Sequence, residues 1–310
     1  MANGADRGFD SLKVWLDGKL VDFRDANVPI LTHSLQYGSG IFEGIRAYDT
    51  PRGSAVFRLD DHIRRFLNSA KIHYMRIPFN HDELCDAVKY AVRENNLKSA
   101  YIRPFAFYND SNIGLATKGK KTSVYIAAVP FGNYFGHSKD TGIKCKVSSW
   151  RRIGYSIIPV EAKASGNYLN SILASNEVAA AGFDEAILLS HDGYIAEGPG
   201  ENIFLVRDGI LYTPDEGSDI LQGITRDSII KIADALGLEV IQRRLHREML
   251  YTSDEVFFCG SAAEITPIIE VDRIKIGDGM RGPITKKLAA AYSNAAAGKD
   301  KRFAKWLSHV

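Results

Sequence analysis

Three Asp-Gly pairs, Asp17-Gly18, Asp192-Gly193 and Asp208-Gly209, limit most strongly what this chain can fold into. Each lies between two runs of strand-forming residues: KVWL and KLVDF, EAILLS and YIAEG, NIFLV and ILYTP. An Asp-Gly connection suits the primed turns whose twist matches a pair of antiparallel strands. The runs SAYIRPFAFY, TSVYIAAVPF, GIKCKVSSW and EVFFCG predict further strands. Helices are interspersed irregularly. One begins near Asp60, with Ile63, Phe66, Leu67 and Ala70 on one face, and a second begins at Asn80, with Glu83 placed for a capping box. LNSILASNEVAAAG is closed by Gly182, and GITRDSIIKIADALG and LAAAYSNAAAG complete the set. Hairpins with scattered helices predict an α+β fold, not a βαβ series.

At 310 residues the chain exceeds one ordinary core, so two domains are expected. GNYFGHSKDTG, rich in glycine and polar residues, is the best linker candidate. The expected division is a small domain over 1–130, a loop over 131–141 and a large cofactor-binding domain over 142–310. A net charge of +2 gives no reason to expect nucleic acid or an acidic membrane as partner, and KGKK reads as a solvated loop. The three cysteines are far apart with no CxxC pair, which argues against a disulfide framework or a zinc ribbon. Buried, reduced thiols in a cytoplasmic protein are the expectation. The start MANGADRGFDSLK has no apolar core of a secretion signal, and no apolar run is long enough to cross a bilayer.

Several stretches carry candidate chemistry. YGSGIFEG offers Gly38 and Gly40 as the first glycines of a dinucleotide fingerprint, but Glu43 falls where the third should be. A carboxylate beside a pyrophosphate has the wrong sign, so the nucleotide reading fails. A tight turn, or a pocket wall approached through glycine, remains. EAKASGNYLNS crowds Lys163 among small residues, as an exposed lysine or as an amine held for use. GITRDSII puts Thr225 at a helix start, where unpaired N–H groups suit a phosphate, and Arg58 follows a strand end. In FFCGSAAEITP the small residues Gly260, Ser261, Ala262 and Ala263 open their amides to an anion or pack as a tight turn. EGPGENIF carries Glu197 and Glu201, either solvated or placed to partner a protonated ring nitrogen. One amine, one tyrosine five residues on, a carboxylate, a helix start and an arginine make the inventory for pyridoxal 5′-phosphate.

The stretches HSLQYGSGIFEGIRAY, VFRLDDHIRRFLNSAKI, SAYIRP, EAKASGNYLNS, GYIAEGPGENIF, GITRDSII and GSAAEITP stand in a telling order and spacing. With them the chain resembles the branched-chain amino-acid aminotransferases, pyridoxal-phosphate enzymes of fold-type IV, from about Val14 to about Thr285. The resemblance implies a smaller N-terminal α+β domain and a larger C-terminal one with a barrel-like sheet. It implies transfer of the amino group of leucine, isoleucine or valine to 2-oxoglutarate by a ping-pong cycle. Lys163 matches the Schiff-base lysine and proton carrier, Tyr168 the partner of the cofactor O3′, and Glu197 the partner of the ring nitrogen. Arg58, Ile224, Thr225 and Ser261 match the phosphate site, and Leu221 a residue packed on the ring. Tyr37, Phe42, Gly44, Arg46, Tyr101, Arg103, Tyr134, Ser261 and Ala262 match the substrate site. There Ser261-Ala262 and Tyr101 would take the α-carboxylate, Arg46 would support Tyr101, and Arg103 would receive the distal carboxylate of glutamate. Ser261 stands where many relatives carry threonine, and Phe131 where some carry tryptophan. D-amino-acid aminotransferases and aminodeoxychorismate lyases share the fold and the lysine; YIRP and FEGIRAY favour the branched-chain group. The resemblance also implies a homodimer, with the segment around Tyr37 reaching the partner's site and a higher homo-oligomer left open.

Overall fold

The computed structural model describes residues 9–111, 113–132, 136 and 141–310. The chain forms two compact units. Unit 1 holds Met1–Phe131, Ala162–Gly166 and Ala295–Val310, and unit 2 holds Gly132–Glu161 and Asn167–Asn294. The contiguous division expected from the sequence differs in two places: residues 162–166 and 295–310 return to unit 1.

Unit 1 is built on an eight-stranded sheet. Its strands are β1 (Lys13–Leu16), β2 (Lys19–Asp22), β3 (Ile41–Phe42), β4 (Ile45–Thr50), β5 (Gly53–Phe57), β6 (Ala100–Tyr108), β7 (Thr122–Val129) and the late strand Leu307–His309. The order is Leu307–His309, β5, β4, β6, β7, β1, β2, with β3 also on β6, and all pairs are antiparallel. Asp17 and Gly18 turn β1 into β2 with positive φ at both, 46° and 92°, as a primed turn requires. Helices α1 (His33–Tyr37), α2 (Leu59–Ile72) and α3 (His81–Glu94) belong to this unit. The α3 capping box forms: Asn80 Oδ1 accepts from Glu83 N at 3.0 Å and Glu83 Oε2 accepts from Asn80 N at 2.7 Å. In α2 the buried stripe is Leu59, His62, Ile63, Phe66, Ser69 and Ala70. Fully burying an apolar side chain such as Ile63 or Phe66 stabilises the fold by about 2 kcal/mol. Strand β6 divides the unit by its period of two: Ile102, Ala106 and Tyr108 join the core under α2 and α3, while Tyr101, Arg103 and Phe105 point to the other face.

Unit 2 is built on a nine-stranded mixed sheet. Its strands are β8 (Ile143–Arg151), β9 (Glu185–Leu189), β10 (Ile195–Glu197), β11 (Asn202–Arg207), β12 (Ile210–Thr213), β13 (Val240–Gln242), β14 (Glu255–Gly260), β15 (Glu264–Val271) and β16 (Ile274–Lys275). The order is β10, β9, β8, β15, β14, β11, β12, β13, with β16 on β15. Although β9, β8, β15 and β14 separate β10 from β11 in that order, Asn202 of β11 bonds Glu197 of β10 at 3.0 Å. The sheet therefore curls towards a barrel. The remaining described helices are α4 (Tyr168–Ala180), α5 (Ile224–Ala235), α6 (Met249–Thr252) and α7 (Pro283–Ala296). Asp208 and Gly209, with φ of 52° and 79°, make the β11–β12 turn. Cys85, Cys145 and Cys259 are all buried free thiols, and burial pushes the Cys85 thiol up to about 12. Among the described residues no helix is long and apolar enough to cross a membrane.

Candidate active site

In unit 1 the short segment Ala162–Gly166 lies along β3. Lys163 O accepts from Phe42 N at 2.9 Å, and Lys163 N donates to Ser69 Oγ of α2 at 3.0 Å. Both backbone groups of the lysine are thus held, and its side chain is half-buried. Lys163 Nζ lies 5.0 Å from the centre of the Phe42 ring, and the Arg103 guanidinium carbon 4.6 Å from the same ring. Arg103 Nη2 donates to the Tyr101 hydroxyl at 2.8 Å, while its Nε is buried with no hydrogen-bond partner among the described residues. A Cβ on Gly44 would collide with that hydroxyl, and one on Gly40 with the Phe105 ring, so these glycines admit the unit's own side chains. Arg46 faces Tyr101 across the β4–β6 pair, and both pack on Phe131, at 4.9 Å each.

Phe42, Gly44, Arg46, Tyr101, Arg103 and Lys163 are therefore brought together. Tyr37 sits elsewhere, in α1, 38% exposed, with its hydroxyl donating to Ile113 O at 2.6 Å. Tyr134 lies outside the described residues. Arg58 is no surface arginine. It is 7% exposed, holds a left-handed φ of 53° before α2, pairs with Asp61 and lies 5.1 Å from the Trp306 ring.

Glu43, which reads along the chain only as a misplaced charge, is fully buried and is the centre of an ionic cluster. Its carboxylate accepts from Arg65 Nε and Nη2 at 2.6 and 2.8 Å and from His62 Nδ1 at 2.7 Å. Burial would raise the Glu43 carboxyl, but Arg65 and then His62 more than offset that and hold it well below the carboxylate range. Burial holds the imidazole of His62 below its ordinary value despite Glu43, whose carboxylate its Nδ1 meets.

In unit 2, Glu197 is 4% exposed at the end of β10. Its Oε1 accepts from Arg152 Nε at 2.8 Å, and its Oε2 from Asn202 Nδ2 at 3.0 Å and Leu221 N at 3.2 Å. Asn202 Nδ2 also donates to Leu221 O at 2.9 Å, so Glu197, Asn202 and Leu221 form one network. Arg152 Nη1 is buried with no hydrogen-bond partner among the described residues. Glu201, the other candidate, instead accepts from Gly200 N at 3.0 Å. Helix α5 begins at Ile224, with Gly223 as its N-cap, one residue before the expected Thr225. A side chain at 223 would strike Asn202 Oδ1, which explains the glycine. Ile224 and Thr225 lie in the first turn. Ser261 and Ala262, half-buried, make the turn from β14 to β15, and Gly260 packs near Gly200. Tyr168 starts α4, half-buried.

The model of the family amino-transferase class IV matches residues 40–271. The chain belongs to the class IV amino-transferases. Its curled sheet in an α+β setting is the fold-type IV architecture of that family. The branched-chain-amino-acid aminotransferase of Pseudomonas aeruginosa is 49% identical over 298 residues, 96% of this chain and 97% of that one. The branched-chain aminotransferase of Thermoproteus uzoniensis, solved with norvaline, superposes with a TM-score of 0.92 at 48% identity, covering 96% of this chain and 99% of that one. The T.th. branched-chain amino acid aminotransferase, complexed with N-(5′-phosphopyridoxyl)-L-glutamate, gives 0.93 at 44% identity, covering 97% and 99%. In this class IV chain, sequence reasoning missed Arg152, Asn202, His62 and Arg65. For His62 a signal existed, since a titratable residue inside an apolar helix stripe needs a buried partner. Arg152 and Asn202 carry no such mark.

Proposed function

We propose that this chain transfers the amino group of branched-chain L-amino acids, leucine, isoleucine and valine, to 2-oxoglutarate, giving 2-oxo acids and L-glutamate in a ping-pong cycle with pyridoxal 5′-phosphate. The observation that carries this reading is the Phe42 ring, approached by the Lys163 amine at 5.0 Å and the Arg103 guanidinium at 4.6 Å. An amine, an apolar surface and a cation with an unspent Nε–H are thereby adjacent. An aliphatic side chain can lie on Phe42 without stripping Arg103 of water, whereas a distal carboxylate can reach the guanidinium. This meets the demand that one enzyme accept both leucine and glutamate.

Each unit carries groups of the kind this cofactor needs, which supports the reading. Glu197 is a buried carboxylate whose neighbour Arg152 keeps an unpartnered Nη1 among the described residues. Gly223 gives α5 an N-terminus with no side chain at its cap, the kind of helix start that takes a phosphate. Arg58 adds a buried cation at another helix start. When bound, the cofactor supplies an aldehyde for the amine and an electron sink for charge leaving the substrate Cα. Lys163 would hold the cofactor and then carry the proton away from that Cα, with its backbone fixed by Phe42 and Ser69. Glu197 would keep the ring nitrogen protonated, and Tyr168 would meet the ring hydroxyl. Arg58, Ile224, Thr225 and Ser261 would hold the phosphate, with Leu221 against the ring. Tyr101, supported by Arg46, and Ser261-Ala262 would take the α-carboxylate, while Phe42, Gly44 and Tyr134 would shape the side-chain space and Tyr37 would reach that of the partner's site. The surface around α1 and residues 113–115 supports a homodimer: Ile30, Leu35, Ile113 and Leu115 are 81%, 63%, 67% and 74% exposed. We place the protein in the cytoplasm.

L-leucine added to the purified, cofactor-loaded protein is expected to shift its visible absorbance, and 2-oxoglutarate to restore it. Lys163→Ala should lose both the resting visible band and turnover. Retention of either in that variant would refute the assignment of the amine.

A further inference from the structure

Glu43 is a large commitment for a fold to make. An ionised carboxylate at 0% exposure carries a heavy desolvation cost and persists only when its partners are well placed. Replacing such a cluster by apolar residues is often neutral or stabilising, so stability alone gives little reason for it. Its location suggests another. Glu43 lies between Phe42, whose N–H holds Lys163 O at 2.9 Å, and Gly44, which fits under the Tyr101 hydroxyl. Its own N–H donates to Pro104 O at 2.9 Å, next to Arg103. The side chains that grip it, His62 and Arg65, stand on α2, about two turns and one turn before Ser69, which accepts from Lys163 N at 3.0 Å. One helix face therefore fixes both the aromatic platform and the backbone of the amine.

We propose that the Glu43–His62–Arg65 cluster is a positioning device for the reaction, registering Phe42 against Lys163 and placing a buried negative charge behind them. The proposal rests on the transaminase reading above. Arg65 Nε and Nη2 grip both carboxylate oxygens, which fixes the orientation of the carboxylate. His62 Nδ1–H adds the third bond. The charged and titratable groups on the carboxylate are His62 and Arg65 of α2, and Lys163 on its segment is close enough to His62 to act on it electrostatically. A misalignment of the amine by about 1 Å is enough to cost on the order of 100-fold in rate.

The test compares the loaded wild type with E43Q and R65K. E43Q keeps the shape and removes the charge. Its kcat should fall roughly tenfold or more with both leucine and glutamate, with KM changed less than about threefold, because Glu43 touches no substrate. Removing the anion takes a negative charge from beside His62, which is itself within electrostatic reach of Lys163, so the pH midpoint of the resting visible band should move down. R65K keeps the charge but loses the two-pronged grip. Its kcat should fall several-fold while the midpoint stays at the wild-type value. A folded E43Q, judged by its thermal transition, with wild-type kcat and midpoint would overturn the proposal. If E43Q does not fold, R65K decides, and wild-type kcat in R65K would overturn it. A wild type inactive on leucine and 2-oxoglutarate would instead sink the transaminase reading, an outcome separable by the parental measurement alone.

Discussion

Gly44 shows how much a single hydrogen can decide. Its missing Cβ is the space occupied by the Tyr101 hydroxyl, which in turn accepts from Arg103. Gly44→Ala should push the end of a flexible tyrosine aside rather than break a backbone, so stability should change by only about 1 kcal/mol. The Tyr101–Arg103 pair is then disturbed and, if that pair takes the substrate carboxylates as proposed, kcat/KM should fall for leucine and glutamate alike, by roughly tenfold or more. Steady-state kinetics beside thermal unfolding would check both halves, and unchanged kinetics would show that Tyr101 has room to spare. At this scale the sequence marks candidates where chemistry demands a residue type, as with Lys163, Glu197 and Arg103. It was unreadable where a residue acts through another. Glu43 offered the wrong charge for a nucleotide, yet nothing in one chain's letters pairs it with Arg65, 22 positions on, because that pairing exists only once α2 lies on β3. Arg152 and Glu197, 45 positions apart, pose the same difficulty.

Secondary elements were legible where local chemistry is strong. The hairpin of β1 and β2 follows from Asp17-Gly18 with positive φ at both residues, and α3 from a capping box visible as Asn80 and Glu83. Helix α5 starts at Ile224, one residue earlier than Thr225 suggests, because Thr225 has the side chain of a cap whereas Gly223 is selected by the close approach of Asn202. Tertiary packing overrode local preference there. The α3 cap gives a test free of active-site complications. Asn80→Ala leaves Glu83 N without its side-chain acceptor and should cost about 1 kcal/mol, lowering the midpoint of thermal unfolding by a few degrees. Its turnover should match the parent protein, since α3 carries none of the groups assigned to the reaction.

At the scale of the whole molecule, two units were foreseeable from length, but their composition was not. EAKASG lacks the periodicity that assigns a segment to a sheet or a helix, so nothing marks 162–166 as belonging with residues before 131. The exposed aliphatics Ile30, Leu35, Ile113 and Leu115 bear on assembly. If a second copy covers them, Leu35→Glu with Ile113→Glu should convert a dimer to single chains in sedimentation. A wild type that sediments as a single chain at micromolar concentration would remove that reading. The brief excursion of the chain at Ala162–Gly166 also has a meaning for biosynthesis. A ribosome that has released only the first 131 residues has made Phe42, Arg103 and Glu43, yet not Lys163. Until the segment at 162–166 emerges, Ser69 and the amide of Phe42 must satisfy themselves with water, and the nascent half-protein has no lysine at this place with which to capture a stray aldehyde.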